Sequence, residues 1–161
     1  MKTQPFVVSP QDYPRALSVL GVQITVLAPN TATQGYEITL QEGAQGVGPP
    51  PHTHDWDESF FVLTGTMEFS CAGKTQQIQA GTLVHAPAGT VHAFRFGDGG
   101  GSMLEVSGAG GSATNMFTQI DREVPAGPPD IPKVIDILQR HGVTVAAGPG
   151  AGVAVDETME K

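Results

Sequence analysis

The side chains best suited to chemistry in this chain are His52, His54, Glu58 and His92. His52-Thr53-His54 sets two imidazoles at i and i+2, positions that point the same way on an extended strand. Asp55-Trp56-Asp57 reads as a turn, and Glu58 opens the strand that follows. A second tight turn, Pro87-Ala88-Gly89, delivers His92 from a separate strand. Three neutral imidazoles and one carboxylate meeting at a point form a site for a divalent transition ion, with open positions if the geometry is octahedral. Iron, manganese, nickel, cobalt and zinc all suit such a donor set. His85 and His141 stand outside this pattern. His85 reads as structural, and His141 as a residue at a helix end, where it favours the dipole. Cys71, the single cysteine, has no partner base in view and reads as a small buried residue. Trp56 reads either as a rim residue or as a packed turn.

These residues need a scaffold of strands. The 161 residues include 21 Gly and 13 Pro, with 39% hydrophobic and 15% charged residues. That profile favours one all-β domain of short strands joined by tight turns over a helical bundle or a charged disordered tail. Strand patterns fall at 19–27, 36–40, 58–63, 66–71, 76–79, 83–86, 91–96 and 103–107. Thr64-Gly65 reads as a hairpin turn that sets Val62 opposite Met67 and Phe60 opposite Phe69. Glu58, Phe60, Val62, Met67 and Phe69 then share one face, a lone carboxylate on an apolar wall. The glycine run 97–101 reads as a break between the last two strands. One helix is expected late, with Asp130 as cap, Pro132 in its first turn and Gly142 at its end. Its apolar stripe is Ile131, Val134, Ile135 and Leu138. The chain thus divides into an N-terminal arm (1–20), a β-barrel (21–125), a C-terminal helix packing on the barrel (126–145) and a tail (146–161).

Charge narrows the partners. Eight Lys and Arg against sixteen Asp and Glu give a formal charge of −8, a poor basis for binding phosphate backbones. No apolar run approaches the roughly 20 residues of a spanning helix, and Met1–Pro5 lacks the apolar core of a secretory signal. With a single cysteine, these features predict a cytoplasmic protein that binds neither nucleic acid nor membrane. The glycine runs 97–101 and 108–111 lack the strand-then-helix setting of a phosphate loop.

The two metal-ligand segments read G46-x5-H52-x-H54-x3-E58-x6-G65 and G81-x5-P87-x-G89-x2-H92. They resemble the two signature motifs of the cupin family in every histidine, the glutamate and every spacing. The family often has asparagine four residues past the last histidine, where this chain has Phe96; that departure predicts a more apolar pocket. The resemblance implies a six-to-eight-stranded jelly-roll barrel, a divalent metal on His52, His54, Glu58 and His92, and a homodimer. A looser resemblance, through Thr33-x-Gly35-Tyr36, 48–52, 57–60 and His92-Ala93-Phe94, is to small single-domain cupins of the quercetin-2,3-dioxygenase-like kind.

Three functions follow as expectations. The first is a metal-dependent oxygenase acting on a small aromatic or enol substrate. In it Glu58 is both ligand and general base, and Phe60, Val62, Met67, Phe69, Phe94 and Phe96 line the substrate pocket. The second is a redox-neutral isomerase or lyase on the same centre. Its usual anionic substrates call for a cation in the pocket, and alternation points Arg95, the one basic residue beside the motifs, away from His92. The third is a non-catalytic small-molecule-binding barrel. Phe61 and Leu63, on the face opposite the pocket, point to a homodimer.

Overall fold

The computed structural model describes residues 3–125 and 127–146; apart from Ala146, the expected tail lies outside them. β1 (Leu17–Val19) and β2 (Val22–Ala28) form a hairpin. Its two turn residues, Leu20 and Gly21, both have positive φ, the backbone that matches strand twist. A single helical turn, α1 (Asn30–Thr33), leads into β3 (Glu37–Gly43), and β4 (His52–Thr53) follows an extended loop held by three prolines. Then come β5 (Glu58–Cys71), β6 (Lys74–Gln79), β7 (Leu83–Ala86) and β8 (His92–Ser107). Two helices, α2 (Ala113–Glu123) and α3 (Ile131–Arg140), precede the short β9 (Thr144–Val145). All nine strands join one curled sheet of jelly-roll type. β8 is its axis, pairing with β3, β4 and β5. Among the described residues no helix is long and apolar enough to cross a membrane.

The expected hairpin at Thr64-Gly65 does not form. β5 runs unbroken through those residues, and the chain reverses instead at Ala72-Gly73, where both φ values are positive and Cys71 pairs with Lys74. Gly65 sits between two register shifts in the β5–β8 ladder. The bulge there changes the parity of the strand. Glu58, Phe60, Val62, Met67 and Phe69 are therefore all buried on one face, as expected, though through a bulge and not a turn.

The glycine run is likewise no break, since β8 continues through it. A Cβ on Gly65 would lie 2.3 Å from the Gly100 carbonyl oxygen, and one on Gly101 2.6 Å from that of Thr64. Glycine is needed where these backbones cross closely. The late helix is as expected at its ends: the Asp130 side chain accepts a hydrogen bond from the Lys133 N–H, and Gly142 has positive φ beyond the last turn. Its buried face, however, is Val134 and Ile137 with Leu138 half-buried, while Ile131 and Ile135 face outward. The helix α2 was not expected: only one helix was, and residues 113–123 fell within the span assigned to the barrel. It buries Ala113, Met116, Phe117 and Ile120 at helical spacing and packs on β1 and on α3.

Candidate metal centre

His52 pairs directly with His92 across β4 and β8, so the ladder itself brings together imidazoles forty residues apart. His54 follows on the loop, and Glu58 is the first residue of β5. Two hydrogen bonds lock the segments: the Gly89 N–H donates to the His54 carbonyl (2.8 Å), and the Ala88 N–H donates to Asp57 Oδ1 (2.8 Å). The turn after His54 and the turn before His92 are thus tied to one another. One ligand atom from each of His52, His54, Glu58 and His92 lies within 4.8 Å of every other. His54, Glu58 and His92 are buried, and His52 is half-buried at the rim.

The tautomers are fixed by the backbone. His52 Nδ1 meets the Pro50 carbonyl, His54 Nδ1 that of Trp56, and His92 Nδ1 that of Thr90, each at 2.9 Å. Carbonyl oxygens only accept, so each Nδ1 carries a proton and leaves Nε2 as the ring atom free to face a metal, although without one His92 Nε2 shares a proton with Glu58 Oε2 at 3.1 Å. His54 Nε2 lies 3.2 Å from Glu58 Oε2 but off the line of a hydrogen bond. It is buried without a hydrogen-bond partner. A buried imidazole nitrogen aimed at a carboxylate oxygen and two further imidazoles fits a cation that all four can touch.

Glu58 uses its two oxygens differently. Oε1 accepts from the Trp56 indole N–H at 3.0 Å and from the Ser107 hydroxyl at 3.4 Å. Oε2 faces His92 Nε2 at 3.1 Å and His54 Nε2. Burial pushes the carboxyl pKa up, but the two histidines outweigh it and hold Glu58 below the usual carboxylate range. His52 is lowered to about 4, first by burial and then by the neighbouring His92, and so stays neutral. For His92, burial opposes charge, yet Glu58 and the Thr90 carbonyl prevail and raise its pKa. Metal binding at Nε2 displaces such a proton.

The centre opens onto a cavity walled mainly by apolar side chains. They come from the β1–β2 hairpin (Val19, Leu20, Val22, Ile24), from α2 (Met116, Phe117, Ile120), and from Leu138 and Val143. Of the expected pocket residues, Phe60 and Phe94 line it. Val62, Met67, Phe69 and Phe96 do not: they pack in the closed core further along the sheet, where Phe96 lies against Gly43. Phe96 therefore does not make the pocket apolar; the hairpin and the helices do. Trp56 is buried and stacks on His54 at 4.0 Å, which places it against the ligands, not in a lid. Cys71 pairs with His92 in register and does not line the cavity. His85 is exposed on the outer face, bonded to Ser59. His141 bridges Ser112 and Gln119, tying α3 to α2. It stands at the C-terminal end of α3, as expected, and its pKa is lowered, chiefly by burial and then by Arg140. Sequence reasoning missed two polar cavity residues, Gln41 and Glu105.

Comparison with known proteins agrees with this geometry. The Cupin domain profile of the Cupin_2 family matches residues 36–106, which contain all four ligand candidates. Quercetin 2,3-dioxygenase of Bacillus subtilis is 32% identical over 80 residues, 48% of this chain but 24% of that enzyme. KdgF from Halomonas sp. superposes with a TM-score of 0.63 at 16% identity, over 69% of this chain and 99% of its own. A predicted oxalate decarboxylase from Thermotoga maritima gives 0.58 at 21%, over 65% and 99%. At these identities the two likenesses show the fold alone. The curled sheet, the paired motifs and the converging ligands define a cupin. The chain belongs to the cupin superfamily.

Proposed function

We propose that the protein is a metal-dependent oxygenase of the quercetin-dioxygenase kind, acting on a small aromatic or enol substrate. The observation that carries the reading is the arrangement of the three imidazoles. Each Nδ1–H is spent on a carbonyl, His54 and His92 turn Nε2 toward Glu58, and one ligand atom of His52 lies within 4.8 Å of theirs at the head of an apolar cavity. His52, His54 and His92 would hold a divalent ion through Nε2, and Glu58 through Oε2. The bound ion supplies Lewis acidity toward a substrate hydroxyl and redox chemistry with dioxygen. Glu58, ionised, would be a ligand through Oε2 while bound and, when released from the ion, the general base that takes the substrate hydroxyl proton. Phe60 and Phe94 seat a flat ring beside the centre, and Met116, Phe117 and Ile120 exclude water from it. The similarity to part of the Bacillus subtilis quercetin 2,3-dioxygenase supports the same reading.

A redox-neutral lyase or isomerase would use the same ligands. Its usual anionic substrates find no Lys or Arg among the residues lining the cavity. Elemental analysis and oxygen uptake separate the cases. Purified protein is expected to hold close to one divalent transition ion per chain, and a His52→Ala/His54→Ala variant to hold almost none. Loaded with iron, manganese, nickel or cobalt, the wild type is expected to consume oxygen with a flavonol or enediol. Equal metal content in wild type and variant would remove the ligand assignment. Metal without oxygen uptake across an enol panel would leave the redox-neutral or purely binding barrel in its place.

A further inference from the structure

The inward face of the sheet carries polar residues beyond the metal ligands, arranged in rows by the strand register. Glu37, Ser107 and Glu58 are aligned across β3, β8 and β5. In the next row stand Thr39, Glu105 and Phe60, and beyond that Gln41, Met103 and Val62. Glu105 is 4% exposed and Gln41 2%, yet both line the cavity. Gln41 Nε2 donates to Glu105 Oε2 at 2.6 Å, and the Ser107 hydroxyl lies 3.4 Å from Oε1. Ser107 also reaches Glu58 Oε1 at 3.4 Å, so one hydroxyl spans the metal-ligand carboxylate and this second carboxyl. Glu58 and Glu105 are diagonal neighbours across β5 and β8, about 7–8 Å apart at the backbone, and both carboxyl groups face the same cavity. A carboxyl group buried in an apolar wall is costly unless it is used or fully bonded. Among the described residues the only other hydrogen bond at this pair is the 3.4 Å contact from Gln41 Nε2 to Thr39.

We infer that Glu105, oriented by Gln41, is a substrate-positioning residue that hydrogen-bonds a second oxygen of the substrate, one ring's width from the oxygen held at the metal centre. The inference rests on the proposed reading of that centre as the anchor for a phenol or enol oxygen. It specifies the substrate class further. The ligand is uncharged, largely apolar, and carries two oxygen functions at opposite ends of a ring-sized body. A carboxylate or phosphate at the far end finds no Lys or Arg lining the cavity.

Calorimetric titration of the full chain loaded with zinc, which keeps the assay free of redox chemistry, tests this with three probes sharing one ring: phenol, hydroquinone and 4-hydroxybenzoate. Wild type is expected to bind hydroquinone about three- to tenfold more tightly than phenol, the increment of one net hydrogen bond, and 4-hydroxybenzoate more weakly than phenol. In Glu105→Leu, hydroquinone is expected to fall to the affinity of phenol while phenol itself changes by less than about twofold. Glu105→Gln, which keeps size and hydrogen bonding, is expected to retain the hydroquinone preference. A merely structural Glu105 would shift all three probes together or none. Wild type that ranks 4-hydroxybenzoate level with hydroquinone overturns the inference without any substitution, and so does an unchanged preference in Glu105→Leu. If phenol binds but hydroquinone gains nothing, only this inference fails. If no probe binds the zinc-loaded protein, the reading of the metal centre fails with it.

Discussion

The Trp56 indole makes two contacts in the site at once, stacking flat on His54 and donating its N–H to Glu58 Oε1. It therefore fixes the plane of one ligand and the rotamer of another, a role that outer hydrogen bonds play around metal sites generally. Trp56→Phe keeps an aromatic face against His54 and removes only the donor. Metal affinity is expected to fall about tenfold or more, read by competition with a chromophoric chelator, with the fold intact by circular dichroism. Affinity equal to wild type would mean the indole N–H orients nothing. The four ligand candidates were readable from sequence because strand periodicity and two short turns leave little freedom between them. Trp56 was not, since its contact with Glu58 depends on which way the 55–57 turn faces. Gln41 and Glu105 were hidden for a different reason. On β3 and β8 the usual alternation is inverted: Glu37, Thr39, Gln41, Glu105 and Ser107 point inward, while Ile38, Leu40, Leu104 and Val106 are only partly buried. A hydrophobic pattern alone turns those strands inside out.

At the scale of elements, the crossing of β5 with β8 decides the shape of the sheet. Gly65 and Gly73 both have φ near +78°, but their surroundings differ. A Cβ on Gly65 would lie 2.3 Å from the Gly100 carbonyl oxygen, whereas one on Gly73 would meet nothing within 4 Å. Gly73→Ala should cost about 1 kcal/mol, from backbone strain alone. Gly65→Ala adds a backbone clash and should cost about 3 kcal/mol, so urea midpoints of the two variants should be well separated. Equal midpoints would mean that the crossing tolerates a side chain. The same crossing explains which elements sequence reading placed and which it did not. Strands 83–86 and 103–107 ended where expected because turns and apolar runs bound them. The run 97–101 read as a loop because glycine is a turn signal, and nothing local distinguishes a turn from a place where three strands must approach closely. Helix α2 starts after Ser112, a preferred N-cap residue whose hydroxyl bonds His141 in place of a cap bond. Met116, Phe117 and Ile120 have helical spacing, but the glycines just before the helix outweighed both signals.

On the scale of the whole molecule, the inverted alternation has an outer consequence. Leu40, Leu104, Phe61 and Leu83 align in one row across β3, β8, β5 and β7. Phe61, Leu63 and Leu83 are 40%, 39% and 65% exposed. A contiguous apolar row of this kind is uncommon on the surface of a monomer, and a second copy applied through a two-fold axis would cover both rows at once. We propose a homodimer through this face. Light scattering should return about twice the 16.7 kDa chain mass for wild type and the chain mass for Leu83→Asp; a monomeric wild type at high concentration would remove the proposal. On β5, Phe61 points away from the side that carries Glu58 and Phe60, and the cavity is closed by β1, β2 and the helices of the same chain. Dimerisation through the outer face therefore supplies nothing to the site. Leu83→Asp should accordingly keep its metal content and its affinity for phenol while losing half its mass, and a variant that lost both would show that the two faces of the sheet are not independent.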